Sequence, residues 1–583
     1  MKRGSHTRSS RVVAAASALA LSITFSPLLV APSASASTPH VSAFHRDETA
    51  RVLAVREFAF LARLLGGRFG APYWVGAGAA RTLVLPERAR PWTLSDLETL
   101  APKDIQVTTP GHVLVATNLV VLPGATLSLV APGVTIGLVS DRGATASIVS
   151  LGGTLRLSGS SSAPLSVTGV TENGGESTAQ RNGPAAYIRS IGGSTYLSHV
   201  TLTRLGSGDD AEGGLAATGS ASISFGQPPS QPTSVLLHRL QRSPLYASVQ
   251  FASTAVAPPS TVVPSPFATL DVERVNVDAD AVGLYVTNSL AGTVADCTFH
   301  HNLFEGVDLH YNVSNVLVTR VRASDNRSNG IALDLADANE TVTNVVVSGN
   351  NGFGLMVSGR ALHGTGQGAP GGNYGSDAID GVVATNNRFA GVAVFGGVDI
   401  KVRHARVASR AIGILVVGPS SLITVSDNTV DAPAHHGISL LNNVTEASLL
   451  HNHVLRAQSG FFLHDSSATI EHNVVERAEG FAVALTGASG GSIVTANTFS
   501  GHGFRAVDQS RLSGPSAVVR GNDESGWSSA GLNSPLIRQI ERPATLLWLG
   551  ILCILLVAWV ARRPWRNGSP DDVPVDYEEP VVL

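Results

Sequence analysis

Lysine is almost missing from this 583-residue chain. Lys2, Lys103 and Lys401 are the whole supply, and 40 Lys+Arg against 43 Asp+Glu leave a net charge of −3. Binding a row of phosphates calls for a basic surplus, so nucleic acid is excluded as a partner. Cysteine is as scarce: Cys297 and Cys553 are the two, and Cys553 lies in an apolar run near the C-terminus. No intramolecular disulfide is expected, and the fold must rest on its core and its ladder hydrogen bonds. Aromatic residues make up only 5 %, which argues against a sugar platform built by ring stacking. The chain also has no phosphate-binding loop, no dinucleotide fingerprint and no Gly-x-Ser-x-Gly elbow.

What the chain has is glycine, 60 of them, and much of it is periodic. Short apolar strands open with glycine at Gly283, Gly306, Gly330, Gly391, Gly413, Gly437, Gly460, Gly480 and Gly503, with spacings of 23, 24, 61, 22, 24, 23, 20 and 23. The long gap holds one more rung, Gly352-Phe-Gly-Leu, and an insertion. A period in the low twenties made of strand and turn residues means a stacked solenoid. It suits one coil of a right-handed parallel β-helix. A leucine-rich repeat would need regularly placed leucines, which are lacking. Asn428, Asn452, Asn473 and Asn497 recur at spacings of 24, 21 and 24, as expected for stacked amides that satisfy buried turn groups.

The ends suggest where the chain works. Residues 1–36 read as a secretory signal peptide, with Lys2, Arg3, Arg8 and Arg11, an apolar stretch, and Ala34-Ser35-Ala36 as the cleavage site. Residues 544–561 hold no charge and are followed by Arg562, Arg563 and Arg566, the pattern of a single transmembrane helix with its basic side inside the cell. The expected order is a signal peptide at 1–36, an N-terminal helical cap region at 37–104, a right-handed parallel β-helix at 105–520, a stalk at 521–543, the transmembrane helix at 544–561 and a cytoplasmic tail at 562–583. The fold class is all-β. The capping helix is expected at 46–66, where an apolar face repeats with helical period. Residues 158–187 and 206–233 read as loops. The protein is expected at the cell membrane as a monomer, single-pass, with its β-helix outside.

Side chains alternate along a strand, so the residue after each glycine faces in and the next faces out. In Gly306-Val-Asp-Leu-His, Asp308 and His310 then share the outer face. Aligning the glycines sets Tyr285 and Thr287 on the coil before, and Asp334 on the coil after. The expected patch is Tyr285 beside Asp308, with His310 between Thr287 and Asp334. A phenol, an imidazole and two carboxylates can position a sugar and move protons. Most other rungs carry small or apolar residues at these positions. A glycine-rich insertion at 359–377 brings Arg360 close in sequence. The many C-terminal histidines, His435, His436, His451, His453, His464 and His472, fall in turns without stacking by register, and no metal site is assigned.

The segment Glu305-Gly-Val-Asp-Leu-His310 and the residues that follow it to Asp334 resemble the Asp-Pro-His segment of the alginate (mannuronan) C5-epimerases, with Leu309 in the place of the proline. The rest of the repeat resembles the pectate-lyase-like β-helix superfamily. The resemblance implies that His310 moves the C5 proton of a uronate, that Asp308 is the motif aspartate, and that a basic residue, Arg327 first and then Arg322 or Arg360, neutralises the uronate carboxylate. It leaves calcium open as a cofactor. The expected function is C5 epimerisation or β-elimination on an extracellular acidic polysaccharide or cell-wall glycan. The alternative is a glycan-binding or structural surface protein without catalysis.

Overall fold

The structure, a computed structural model, describes residues 71–76, 78, 81–140, 145–179, 185–207, 213–219, 250–251, 265–334, 338–359 and 375–529. The expected signal peptide, the capping helix at 46–66, Arg360 and the apolar run at 544–561 lie outside the described residues. Among the described residues no helix is long and apolar enough to cross a membrane.

Strands stack in parallel register into a solenoid of about 14 turns. One face can be followed from Leu284–Ala295 to Val307–Val313, Ile331–Asp334, Leu355–Ser358, Ala390–Val398, Ile412–Ser421, His436–Leu441, Ser459–His464 and Phe481–Gly487. A second face includes Val316–Thr319, Thr341–Thr343, Ala378–Asp380 and Lys401–Arg403. A third includes Thr298–His300, Arg322–Ser324, Val346–Ser348 and Val383–Thr385. The apolar residue of each short strand faces the lumen, so Val307, Leu309, Ile331, Leu333, Val318, Val342, Phe299 and Ala323 all enter one continuous core. The strands are too short to be stable alone; each is held by its neighbours above and below.

The ladder begins earlier in the chain than residue 105, since Thr82–Leu85 already pairs in parallel with Asn118–Val121. It also runs past 520, where Asp523–Ser529 pairs with Thr498–Gly503. The two segments read as loops contain strands, Leu165–Val170 and Leu215–Thr218, because lumen-facing Leu165 and Val167, and Leu215 and Ala217, recur at every second position. A short helix, Leu94–Leu100, starts at a capping box in which Thr93 and Asp96 satisfy each other's backbone donors, and it buries Leu97 in the core.

The glycine repeat and an asparagine ladder turn out to be one packing arrangement. The amides of Asn302, Asn326, Asn350 and Asn387 form a chain, each Nδ2 donating to the next Oδ1 at 2.8, 3.0 and 3.0 Å. A Cβ on Gly306 would lie 2.9 Å from the Asn326 amide nitrogen, and one on Gly330 2.7 Å from that of Asn350. Glycine is thus the residue that leaves room for the ladder. The aligned glycine of the following rung is Gly354 and not Gly352, since Ile331 pairs with Leu355. At the far end Gly480 and Gly503 fall out of line, and Ala482 takes the place opposite Gly460. The expected ladder is also present on a different corner, running from Asn428 through Asn452, Asn473 and Asn497 to Asn522 at 2.9, 3.0, 3.0 and 2.9 Å.

Two buried acids interrupt the apolar lining. Register puts Glu340 and Asp377 in the column that carries Val316 before them and Ile400 after them, both core residues. The Glu340 backbone donates to Asp377 Oδ1 at 3.0 Å, while neither oxygen of the Glu340 carboxyl has a hydrogen-bond partner among the described residues. Burial, reinforced by the Asp377 charge, pushes Glu340 up to about 9. Burial pushes Asp377 up to about 6. At neutral pH Glu340 is therefore a neutral acid.

Candidate functional site

The outward column of the first face reads Arg189, Ala216, Tyr285, Asp308, Ala332, Met356, Ala393, Leu415, Ser439, Phe462, Ala484 and Asp508 along the solenoid axis. Its polar, ionisable stretch is where the glycine alignment puts it. Tyr285 pairs directly with Asp308 and Asp308 with Ala332. Tyr285 is packed by Ala216, Val282 and Phe304, which fixes its ring.

One expectation needs correction. Simple alignment sets Thr287 opposite His310, but the register shifts after Val286: Leu309 still pairs with Val286, and Thr287 pairs with Tyr311. His310 is the extra residue of a β-bulge. Bulges bend a strand and re-aim one side chain, and here that side chain is the imidazole. The cause lies in the next residues, since Asn312 takes a φ of 54° and bonds across to Asn288 Oδ1 at 3.0 Å, which locks the strand in its shifted register.

The bulge aims the ring at both acids. His310 Nδ1 lies 3.7 Å from Asp308 Oδ2 and 3.9 Å from Asp334 Oδ2. These are electrostatic separations rather than direct hydrogen bonds. The imidazole lies 5.5 Å, centroid to centroid, from the Tyr285 ring, tilted by 34°. Asp334 is almost fully covered, with 6 % of its side chain exposed, against 13 % for Asp308 and 21 % for His310. The set is thus a half-buried pocket rather than a solvated sheet face, with the imidazole as its most accessible member. Thr287 is buried, and its hydroxyl has no hydrogen-bond partner among the described residues.

Arg327 stands apart from this group. It is exposed on the turn before Ile331–Asp334, where its backbone donates to Asn302 O at 3.0 Å. Arg322 is exposed on the third face. Two features were not foreseen. Glu305, on the turn leading into the Asp308 strand, receives Ser328 Oγ and, at 3.3 Å, Asn329 Nδ2, and so ties that turn to the coil that carries Asp334. Arg189 is the one cation in the outward column among the described residues. It is fully buried, and its Nε donates to Thr218 Oγ1 at 3.3 Å. A lone arginine in the apolar strand Tyr187–Ile191 was the available signal, but its alignment to the later glycines is hidden by the long polar stretches between them.

Beyond Ala332 the column is mostly apolar as far as Ala484, interrupted by Ser439. Met356, Ala393 and Leu415 lead to Phe462, which stacks on His436 at 4.4 Å with planes 8° apart. Burial, aided by neighbouring His435, lowers His436 to about 4, so this ring stays neutral and acts as packing.

One family model agrees with the architecture. Residues 266–368 and 371–499 match the family described as "Right handed beta helix region". Among solved structures, the periplasmic alginate epimerase AlgG is similar at 14 % identity and a TM-score of 0.44, over 77 % of this chain and 85 % of that one. The Azotobacter vinelandii mannuronan C-5 epimerase AlgE4 A-module is similar at 14 % identity and a TM-score of 0.33, over 71 % and 91 %. An alginate lyase from Paenibacillus sp. str. FPU-7 is similar at 12 % identity and a TM-score of 0.20, over 76 % and 99 %. No curated protein matches the sequence. The family match over these residues and the continuous parallel ladder of the described residues together show a right-handed parallel β-helix fold.

Proposed function

We propose that the protein acts on an acidic polysaccharide by removing the C5 proton of a uronate, leading to epimerisation or to β-elimination. The observation that carries this reading is the bulge that turns His310 toward Asp308 and Asp334 beside Tyr285. In this reading His310 or Tyr285 takes the C5 proton. Asp308 and Asp334 orient the ring and stabilise the charge it gains. An arginine, Arg360 or, reaching over from its exposed turn, Arg327, meets the uronate carboxylate and lowers the cost of the carbanion; the Thr287 hydroxyl is buried and takes no part in binding the sugar. Return of a proton to the opposite face inverts C5. If the C4–O4 bond breaks instead, the electron pair leaves with the departing sugar and a 4,5-unsaturated uronate remains. The sequence features at 1–36 and 544–561 support an exported enzyme held at the cell membrane by one pass, acting on glycan outside the cell.

The test is incubation of the purified protein with a panel of polyuronates in deuterated water. NMR follows deuterium at C5, and ultraviolet absorbance follows unsaturated ends. Exchange or unsaturation that disappears in His310→Ala, with the fold retained, supports the reading. Activity that survives this substitution removes His310 from the chemistry. A second reading, a glycan-binding surface without turnover, is favoured by the apolar run Met356, Ala393, Leu415 and by the scarcity of cations along the column. It predicts binding of polymer without exchange.

A further inference from the structure

A second cluster of chemistry lies on the third face, outside the pocket just described. Asp278 ends the strand Ala268–Asp278, and His300 ends the next coil's strand Thr298–His300, directly opposite it in register. His301 follows at a corner with a φ of 55°. Three ligand-type atoms meet there. Asp278 Oδ1 is 3.0 Å from His300 Nδ1 and 2.9 Å from His301 Nδ1, and the two imidazole nitrogens are 2.9 Å apart.

With both imidazoles neutral, protons alone do not satisfy this triangle. His300 Nε2 lies 3.1 Å from Asn276 Oδ1. A carbonyl oxygen can only accept, so the ring proton of neutral His300 sits on Nε2 and its Nδ1 presents a lone pair. Neutral His301 then has one Nδ1 proton at most to serve three short contacts, one of which would set a lone pair against a carboxylate oxygen. A metal ion serves all three at once. Ligand atoms bound at roughly 2.0–2.2 Å lie about 2.8–3.1 Å from one another around an octahedral ion and about 3.3–3.6 Å around a tetrahedral one, and the 2.9–3.0 Å found here matches the octahedral spacing. Asn276 fills the outer role of fixing the tautomer of a ligating histidine. Elsewhere the solenoid pairs corner carboxylates one to one, as in Asp380 with His404 at 2.8 Å and Asp431 with Arg456 at 2.6 Å. Asp278 alone among these gathers two imidazoles. His301 is the exposed member, and Asp278 and His300 are part-covered, so solvent can reach an ion and fill its open positions.

We propose that Asp278, His300 and His301 form a binding site for a divalent transition-metal ion such as zinc. Two nitrogen donors select against calcium, which takes oxygen ligands. The site joins adjacent coils next to the turn that leads into the His310 strand, so an ion there would clamp that part of the solenoid.

The test is zinc titration of the full-length protein, prepared without a histidine tag and stripped of metal by chelation, using calorimetry and, with cobalt as a substitute, visible absorption. The expected result is one tight equivalent of zinc, a cobalt ligand-field band and a rise in melting temperature on zinc addition. His301→Ala and the near-isosteric Asp278→Asn should each weaken binding by at least about tenfold, and Asn276→Ala by on the order of tenfold through the lost tautomer control. His404→Ala should leave binding unchanged. Circular dichroism of the metal-free variants checks that the fold is retained. The proposal is overturned if the natural protein takes up no stoichiometric zinc, if both folded ligand variants bind as tightly as it does, or if calcium in modest excess displaces the zinc.

Discussion

Replacing Glu340 by Gln should make the solenoid more stable at alkaline pH and leave it nearly unchanged in mild acid. Glu340 faces the lumen between Val316 and Asp377, and burial with the Asp377 charge raises its folded-state value from 4.5 to about 9. Between those two values the folded chain holds a proton that the unfolded chain has released. Stability therefore falls as pH rises, by about 1.4 kcal/mol for each pH unit per proton. The contribution is intact below pH 4.5 and is lost progressively up to pH 9. From pH 4.5 to pH 7.5 the loss from this one group is about 4 kcal/mol. The amide that Glu340→Gln introduces has the shape of the neutral acid and no proton to release, so the variant escapes the loss. The assay is thermal or urea unfolding of both proteins from pH 5 to pH 9, with hydrogen exchange at Thr341–Thr343 and Ala378–Asp380 as the local readout, because a long repeat array need not unfold in one step. Titrating groups that do not interact with residue 340 cancel in the difference between the two proteins. The reasoning is refuted if that difference stays flat across the range, which would mean that Glu340 is ionised in the folded chain or that its carboxyl reaches water.

Asp334→Asn should lower kcat on an active polyuronate by roughly a hundredfold or more with little change in KM, since it removes a charge that stabilises the protonated ring without removing a sugar contact; an equal loss in binding alone would contradict the role. Asn350→Ala should cost about 2–3 kcal/mol, because it strands the buried amide of Asn326 as well as its own backbone contacts, and denaturant unfolding would reveal it. Asp280 caps the same ladder. Its backbone donates to Asn302 Oδ1 at 3.0 Å, and burial holds its carboxyl well above the usual carboxylate range. Asp280→Asn should therefore stabilise the fold increasingly as pH rises above the normal aspartate range, and an unfolding midpoint that does not move with pH would count against it.

The sequence made the solenoid legible because its period is written in residues that only the fold explains. Glycine recurs where an amide or valine side chain from the same coil needs its space, and inward and outward positions alternate strictly on either side of it. The same reading located Tyr285, Asp308 and Asp334. It misplaced Thr287 because one inserted residue shifts a strand by a step, and nothing in Val307-Asp-Leu-His-Tyr announces a bulge until the cross-coil bond of Asn312 is seen. The ladder from Asn302 to Asn387 escaped notice because the insertion stretches one of its steps to 37 residues. Arg189 and the Glu340–Asp377 pair were hidden for a related reason. Their meaning depends on which coil each residue joins, and polar insertions erase that count. The Asp278–His300–His301 triangle needs two residues adjacent in sequence to converge on a third more than twenty positions away, which a corner of positive φ makes possible.

The two asparagine ladders do not overlap. The first ends at Asn387, and the next coil has Ser409 in the corresponding place, its hydroxyl buried without a hydrogen bond among the described residues. The second begins at Asn428, which accepts from the backbone of Ala405 at 2.8 Å. The coil from Ile400 to Ile412 thus carries no stacked amide on either corner. From Asn302 to Asn522 the solenoid is two zipped blocks with a plain joint between them. Pulled along its axis, this part of the solenoid should separate at that joint first. The joint is also where coils could be added or removed, or two such rods spliced, with neither zip broken.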